Sequence, residues 1–341
     1  MNASLLLRRG ILVRFSSGFY VAPDVKLRPE VRKFPLSGIK VALLNRPSIG
    51  DFTAKLLEDF GAEVSKFCEP MGGFETTAAH GRLINLNHPE DVNLVKNVAR
   101  KVDVFIDCLN GGRLEEVGLD PGAMLTANSQ LIVARITGYG QTGVYGSRTG
   151  ADTTFAAMSG AMNGCEGDNT EQSLKIAAKE AKALTMAGRS NCVTGVILAL
   201  YDREHTGKGQ VVDMSVTESI AYIDRMATMM ALQIPQPFHR FYLTADKMLL
   251  AVGILNPEDQ KKFLKLIGAN SAGNLEKNIA EKICGKKVAD WVEILKDIGS
   301  VSQVFDYSNV GNHPQHKDRH SFEFDNSSKQ WMAKSVPEFV P

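Results

Sequence analysis

The segment Val41-Ala42-Leu43-Leu44, followed by a helical stretch from Thr53 to Phe60 and then by Glu63-Val64-Ser65-Lys66-Phe67, decides the fold. A short apolar run, an amphipathic turn-by-turn pattern and a second short run are the parts of a strand, a helix and a strand. The pattern repeats: Glu90 to Lys101 reads as a helix, and Val104-Phe105-Ile106-Asp107 as the next strand. Alternation of this kind predicts right-handed βαβ units and a parallel, Rossmann-like sheet, whose ligands bind outside the carboxyl ends of the strands. No GxGxxG follows the first strand, so a dinucleotide site is not supported.

Further along, Leu131-Ile132-Val133-Ala134-Arg135-Ile136 is apolar apart from Arg135 and short enough for a strand buried in a parallel sheet. It runs into Thr137-Gly138-Tyr139-Gly140-Gln141-Thr142-Gly143, and a spacer then leads to Gly150-Ala151-Asp152 and Met158-Ser159-Gly160. Two readings fit these residues. In one, the glycines let a ligand approach the backbone and the loop delivers the Asp152 carboxylate to the end of the strand. In the other, the glycines only make a tight turn and Asp152 is the N-cap of a helix over Thr153 to Met162.

The Ala- and Lys-rich region Leu174 to Leu200 predicts a helix or helix pair on the sheet, and Ser215 to Leu232 another long helix. Pro235 and Pro237 break the pattern and mark a domain boundary. Beyond it, Phe241 to Gly253 reads as a pair of strands, and Pro257 to Ile267 and Ala289 to Ile298 as helices. There is no internal repeat and no low-complexity tract.

The composition narrows the partners. With 341 residues, 44% of them hydrophobic, the chain has material for a large domain and a smaller one. Its 39 Lys and Arg against 38 Asp and Glu produce no global field for nucleic acid or an anionic membrane, so any phosphate recognition is local and a small-molecule partner is expected. The five cysteines, Cys68, Cys108, Cys165, Cys192 and Cys284, show neither a CxxC pair nor zinc spacing and read as thiols of a reducing compartment. No metal site is expected. The apolar region Ser219 to Leu232 is interrupted by Asp224 and Arg225, and no stretch after the N-terminus reads as a bilayer span.

Residues Met1 to Pro23 carry Arg8, Arg9 and Arg14, with no acid before Asp24. Such a stretch fits an amphipathic mitochondrial presequence, here residues 1–30, or a solvated arm. A secretory signal would put its charges before the apolar run, whereas Leu5 to Leu7 precede Arg8. The chain ends in Phe339-Val340-Pro341, which is no peroxisomal tripeptide. The mitochondrial matrix is therefore the expected location.

The same residues carry a resemblance. Ile39 to Leu44 with Leu56 to Val64, Asp103 to Asp107 with Val117-Gly118-Leu119-Asp120-Pro121, and Leu131 to Gly160 follow one another as in the family III CoA transferases. So do Gly195 to Tyr201, Gly207 to Asp213, and Tyr242 to Asp246 with Leu250 to Gly253. Within that family, His313-Pro314-Gln315-His316-Lys317-Asp318-Arg319 with Ser321-Phe322 is similar to the α-methylacyl-CoA racemases in particular. The resemblance implies a large Rossmann-like CoA-binding domain over residues 36–232 and a small α/β domain over 238–305. It also implies a C-terminal segment, 306–341, that returns to the large domain, and an interlocked homodimer.

By the same resemblance, Asp152 is the functional carboxylate. In the family's transferases it attacks an acyl-CoA thioester to form a mixed anhydride. In the racemases it is one of two groups that remove and return the proton α to the thioester carbonyl. The substrate is then a CoA thioester, with no cofactor bound permanently. Backbone N–H groups near Gly138 to Gly140 are candidate oxyanion donors. Arg46, Arg82, Asn110, Gly111, Gly138, Tyr139, Gly140 and Gln141 are the candidate CoA-binding residues, with Arg113 and Lys208 as further phosphate contacts or solvated side chains.

The chain also departs from the pattern. The family's second acid/base, a histidine in the segment matching Asp120 to Asn128, is absent; His239 is the candidate substitute, and His205 reads as a solvated turn residue. Leu243 stands where the family carries an acid, Asn110-Gly111-Gly112 replaces an Arg-Pro-Gly turn, and a basic stretch before Leu86 is missing. Ala181 to Gly188 replaces a Gly-rich loop. Three readings follow: racemisation of 2-methyl-branched acyl-CoA, CoA transfer with Asp152 as nucleophile, or a catalytically impaired homologue.

Overall fold

The computed structural model describes residues 12–15, 18–21, 34–45, 49–69, 81–162, 171–230, 236–270, 273–298 and 301–334. Within the segment expected as a presequence, β1 (Leu12–Phe15) and β2 (Gly18–Val21) pair as an antiparallel hairpin. The chain divides into two compact units, the first through Ala227 and the second from Thr228.

The first unit is built on a six-stranded parallel sheet. Its strands are β3 (Lys40–Asn45), β4 (Glu63–Cys68), β5 (Arg82–Leu83), β6 (Val104–Asp107), β7 (Ile132–Thr137) and β8 (Val211–Ser215), in the order β5-β4-β3-β6-β7-β8. The sequence-predicted strands at Val41, Glu63 and Val104 are all present. Because the chain starts in the middle with β3, runs to one side and then to the other, its direction switches between β3 and β6, and a crevice is expected beyond their carboxyl ends.

Both faces of the sheet are covered, which is why its strands are apolar without alternation. Val41, Leu43, Ile106 and Ile136 pack on one side with Leu57, Phe155, Val196 and Ile220. Ala42, Leu44, Phe105 and Val133 pack on the other with Val95, Leu114, Leu119 and Met124. The helices are α1 (Gly50–Asp59), α2 (Pro89–Ala99), α3 (Arg113–Glu116), α4 (Pro121–Ala127), α5 (Asp152–Ser159), α6 (Glu171–Thr206) and α7 (Val216–Met230). Asp120 caps α4 by accepting from the Ala123 N–H at 2.7 Å, and Pro121 at its first position has no N–H to satisfy.

The region expected as a helix or helix pair is one helix, α6, extended at both ends. His205 consequently lies in its last turn, exposed, rather than in a loop. Contrary to the expectation that no stretch has the length and hydropathy of a membrane span, Ser173–Thr206 reaches both. One face of it belongs to the core: Cys192, Val193, Val196, Ala199 and Leu200 are buried in the hydrophobic layer over β7 and β8, while Leu198 and Tyr201 are exposed.

The second unit holds an antiparallel sheet of β9 (His239–Leu243), β10 (Leu249–Gly253) and β11 (Val301–Gln303), in the order β11-β10-β9. Helices α8 (Pro257–Ile267), α9 (Leu275–Ile283) and α10 (Val288–Ile294) enclose Leu250, Val252, Phe263, Ile279 and Trp291. The indole N–H of Trp291 donates to the Ile283 carbonyl at 2.8 Å, satisfying the one polar atom that this large side chain buries. Helix α11 (Pro314–Arg319) and the hairpin of β12 (Phe322–Asp325) and β13 (Gln330–Ala333) follow.

Candidate active site at the carboxyl edge of the parallel sheet

Strand β7 is buried along its whole length and ends at Thr137, where the loop to α5 begins. Gly138 is needed there for space: a Cβ would lie 2.1 Å from the ring of Phe155. Phe155, on the first turns of α5, is buried and meets Tyr139 edge to face with centroids 5.1 Å apart. Tyr139 in turn donates to the Thr154 hydroxyl at 3.0 Å, and that hydroxyl also accepts from the Ala151 N–H at 2.9 Å. The start of α5 is thus fixed by contacts with the loop that leaves β7. Gly138→Ala should push Phe155 out of this seat and cost about 1–3 kcal/mol of stability, read as a lower midpoint in chemical denaturation.

The N-cap of α5 is Ala151, and Asp152 is the first helical residue, so the reading of Asp152 as the cap does not hold. Its carboxylate reaches across to α6 instead. Oδ1 of Asp152 lies 2.5 Å from Nη2 of Arg189, whose side chain is 4% exposed against 27% for Asp152. The Thr185 hydroxyl, on the same helix, shares its one proton between the Ala181 carbonyl at 2.8 Å and the Asp152 carbonyl at 3.2 Å. Position one of α5 also sets the carboxylate at the positive end of the helix dipole.

The same loop closes on the turn after β6. The Gly111 N–H donates to the Gly146 carbonyl at 2.9 Å, and the Asn110 amide lies 3.3 Å from the Thr149 hydroxyl. A Cβ on Gly111 would press on the carbonyls of Gly146 and Gln141, so this turn requires glycine for close backbone approach. Asn110, Gly111, Gly138, Tyr139, Gly140, Gln141 and Asp152 therefore share one end of the sheet. The Gly140 N–H donates to the Thr137 hydroxyl at 2.9 Å and the Gln141 N–H to Asp213 at 3.2 Å, so an oxyanion at either amide would compete with an acceptor already in place. The side-chain amide of Gln141 is buried without a partner among the described residues.

A cleft of about 240 Å³ lies at the switch between β3 and β6, lined by Asn45, Glu69, Asn110, Gly111, Arg113 and Ser147 among others. Arg113 is held by Glu69 at 3.2 Å, the side-chain amide oxygen of Asn87 at 3.2 Å and Glu116 at 3.4 Å, so its charge is already met by two carboxylates. Beneath this end of the sheet, Arg135 of β7 donates from Nε to Asp107 of β6 at 3.1 Å and with both Nη atoms to Glu115, at 2.5 and 2.9 Å. Burial pushes the Asp107 carboxyl up to about 6, opposed by the Leu109 N–H and by Arg135. The hydrogen bonds from Arg135 hold Glu115 below the usual carboxylate range.

Two other candidates in the first unit stand apart from this loop. Arg82 is exposed on β5, the edge strand farthest from β7. Lys208 is exposed after α6. His239 is exposed at the start of β9, in the second unit. Arg46 lies outside the described residues. Arg189, the closest ionic partner of Asp152, was not among the sequence candidates; its only trace there is a cation within a long apolar helix.

A six-stranded parallel sheet in this order, with a carboxylate and a glycine-rich loop at its carboxyl edge, defines an α/β protein of the class in which ligands are expected at the strand ends. The chain belongs to CoA-transferase family III, whose model matches residues 80–337. It is 30% identical to a CaiB/baiF CoA-transferase family protein of Caenorhabditis elegans over 89% of this chain and 94% of that one. Alpha-methylacyl-CoA racemase of Homo sapiens is 28% identical over 84% of this chain and 82% of the racemase. The beta subunit of succinyl-CoA–L-malate CoA-transferase from Chloroflexus aurantiacus is 34% identical over 54% of this chain and 50% of the subunit. The crystal structure of Rv3272 from M. tuberculosis shares the fold, with a TM-score of 0.71 at 20% identity over 90% of this chain and 93% of that one.

Proposed function

We propose that this protein is an α-methylacyl-CoA racemase-like enzyme, in which Asp152 moves the proton α to the carbonyl of a 2-methyl-branched acyl-CoA thioester. The observation that carries the reading is the Asp152 carboxylate itself, partly open to solvent at the carboxyl edge of the sheet on a helix start fixed by Thr154 and Phe155. Similarity to the human racemase along 84% of the chain, against 54% for the succinyl-CoA transferase subunit, favours α-proton chemistry over acyl transfer. By the resemblance alone, His239 is the candidate substitute for the second acid/base of this reading. The working form is a homodimer, in the mitochondrial matrix.

A second reading, CoA transfer, is favoured by the ion pair with Arg189. A nucleophile needs one carboxylate oxygen held while the other attacks, and the cation on Oδ1 supplies that hold. One experiment separates them. With a 2-methylacyl-CoA in deuterated water, the racemase incorporates deuterium at the α-carbon. A transferase instead forms an acyl adduct on Asp152 that hydroxylamine traps, and an impaired homologue yields neither signal.

A further inference from the structure

On that reading of Asp152, we propose that Arg189 is a positioning residue that grips Oδ1 of the carboxylate and leaves Oδ2 as the oxygen that meets the acyl-CoA thioester. Arg189 is nearly sealed from solvent, and its guanidinium has few alternatives. Nη2 is on Asp152 Oδ1 at 2.5 Å, Nη1 is 3.4 Å from the sulfur of Met186, and Nε is buried without an acceptor among the described residues. A buried cation so poorly supplied loses its compensation when the one carboxylate it meets among the described residues turns away, so the grip is maintained.

The backbone that carries Arg189 is equally constrained. At Gly188, a Cβ would lie 2.9 Å from the Ile220 side chain and 3.0 Å from the Val216 carbonyl, so α7 packs against the backbone of α6 with no room for a side chain at this position. One turn earlier, Thr185 is fully buried and its hydroxyl reaches the backbone of Asp152. The two oxygens of Asp152 are thereby made unequal. In the α-proton step the C–H bond breaks, the proton passes to Oδ2, and its electron pair moves into the thioester carbonyl, while Arg189 stays on Oδ1. Reacting atoms misplaced by about 1 Å forfeit on the order of a hundredfold in rate.

The test uses the full-length chain and α-deuterium exchange into a 2-methylacyl-CoA. Arg189→Met should lower kcat about a hundredfold with KM nearly unchanged. Arg189→Lys should recover part of the rate, and Arg189→Ala should be rescued by millimolar methylguanidinium. A group acting only through stability would move the thermal midpoint and show no such rescue. Wild-type kcat in Arg189→Met overturns the proposal, as does a loss that neither lysine nor methylguanidinium reverses; should the Met variant fail to fold, the Lys and rescue arms decide. If the wild-type protein itself shows neither exchange nor adduct, the underlying reading of Asp152 fails. If Asp152→Asn is inactive while Arg189→Met is not, only the role of Arg189 fails.

Discussion

Asp152→Asn should reduce α-proton exchange by roughly 10²–10⁴-fold, the range lost when a positioned acid/base group is removed. The replacement is nearly isosteric. Its amide oxygen can still accept from Arg189, which lies 2.5 Å from the Asp152 carboxylate, so the start of α5 and its seat on Thr154 and Phe155 should persist. What the amide cannot do is take up a proton from carbon or attack a thioester. The check is deuterium incorporation by mass spectrometry, with thermal melting alongside. Unchanged turnover in a folded variant would remove Asp152 from the mechanism, and with it both the racemase and the transferase readings.

The second large effect concerns stability. Arg135 sits between Asp107, which is fully buried, and Glu115, which is partly exposed. Arg135→Met keeps the volume and removes the charge, leaving Asp107 without a cation in the layer between β6 and α3. Breaking a buried pair in this way costs about 3–5 kcal/mol at neutral pH, measured as the loss in unfolding free energy in urea. The deficit should depend on pH. In the wild type the Asp107 carboxyl is raised to about 6, so the folded state binds more protons than the unfolded state up to that pH, and this contribution to stability falls as pH rises from about 4 to 6. Without Arg135 the fall should continue above pH 6, because ionised Asp107 has lost its partner. Glu115, held low by Arg135 in the wild type, acts in the same sense: its contribution is present above the ordinary carboxylate range and disappears from the variant. The gap between the two proteins should therefore narrow on acidification. A gap that is constant from pH 5 to pH 8 would show that the charges of this cluster do not contribute to stability.

Several elements were legible before any coordinates because their causes are local. Helix α8 spans the predicted Pro257–Ile267: Asn256 caps it by accepting from the Glu258 N–H, Pro257 opens it, and Gly268 ends it in a left-handed conformation. Strands β3, β4 and β6 were marked by apolar runs broken by turns. Helix α9, the short strand β11 and the β12–β13 hairpin were not anticipated. Strand β11 is only three residues long and owes its identity to the hydrogen bonds of β10, which no property of Val301 to Gln303 announces.

The sequence by itself determined the class of the fold and the punctuation of its glycine-rich loop, because period and turn chemistry are written within a few neighbouring positions, while the prominence of Asp152 came from the family resemblance. Tertiary structure alone decided what that carboxylate does with its charge. Arg189 is 37 positions away, on another helix, and meets Asp152 only because α5 and α6 pack on the same sheet face. It likewise decided that Asp107 and Arg135 stand side by side, as paired positions of adjacent strands. Ion pairs of this separation are fixed by register and packing, and these emerge only when the whole first unit has closed.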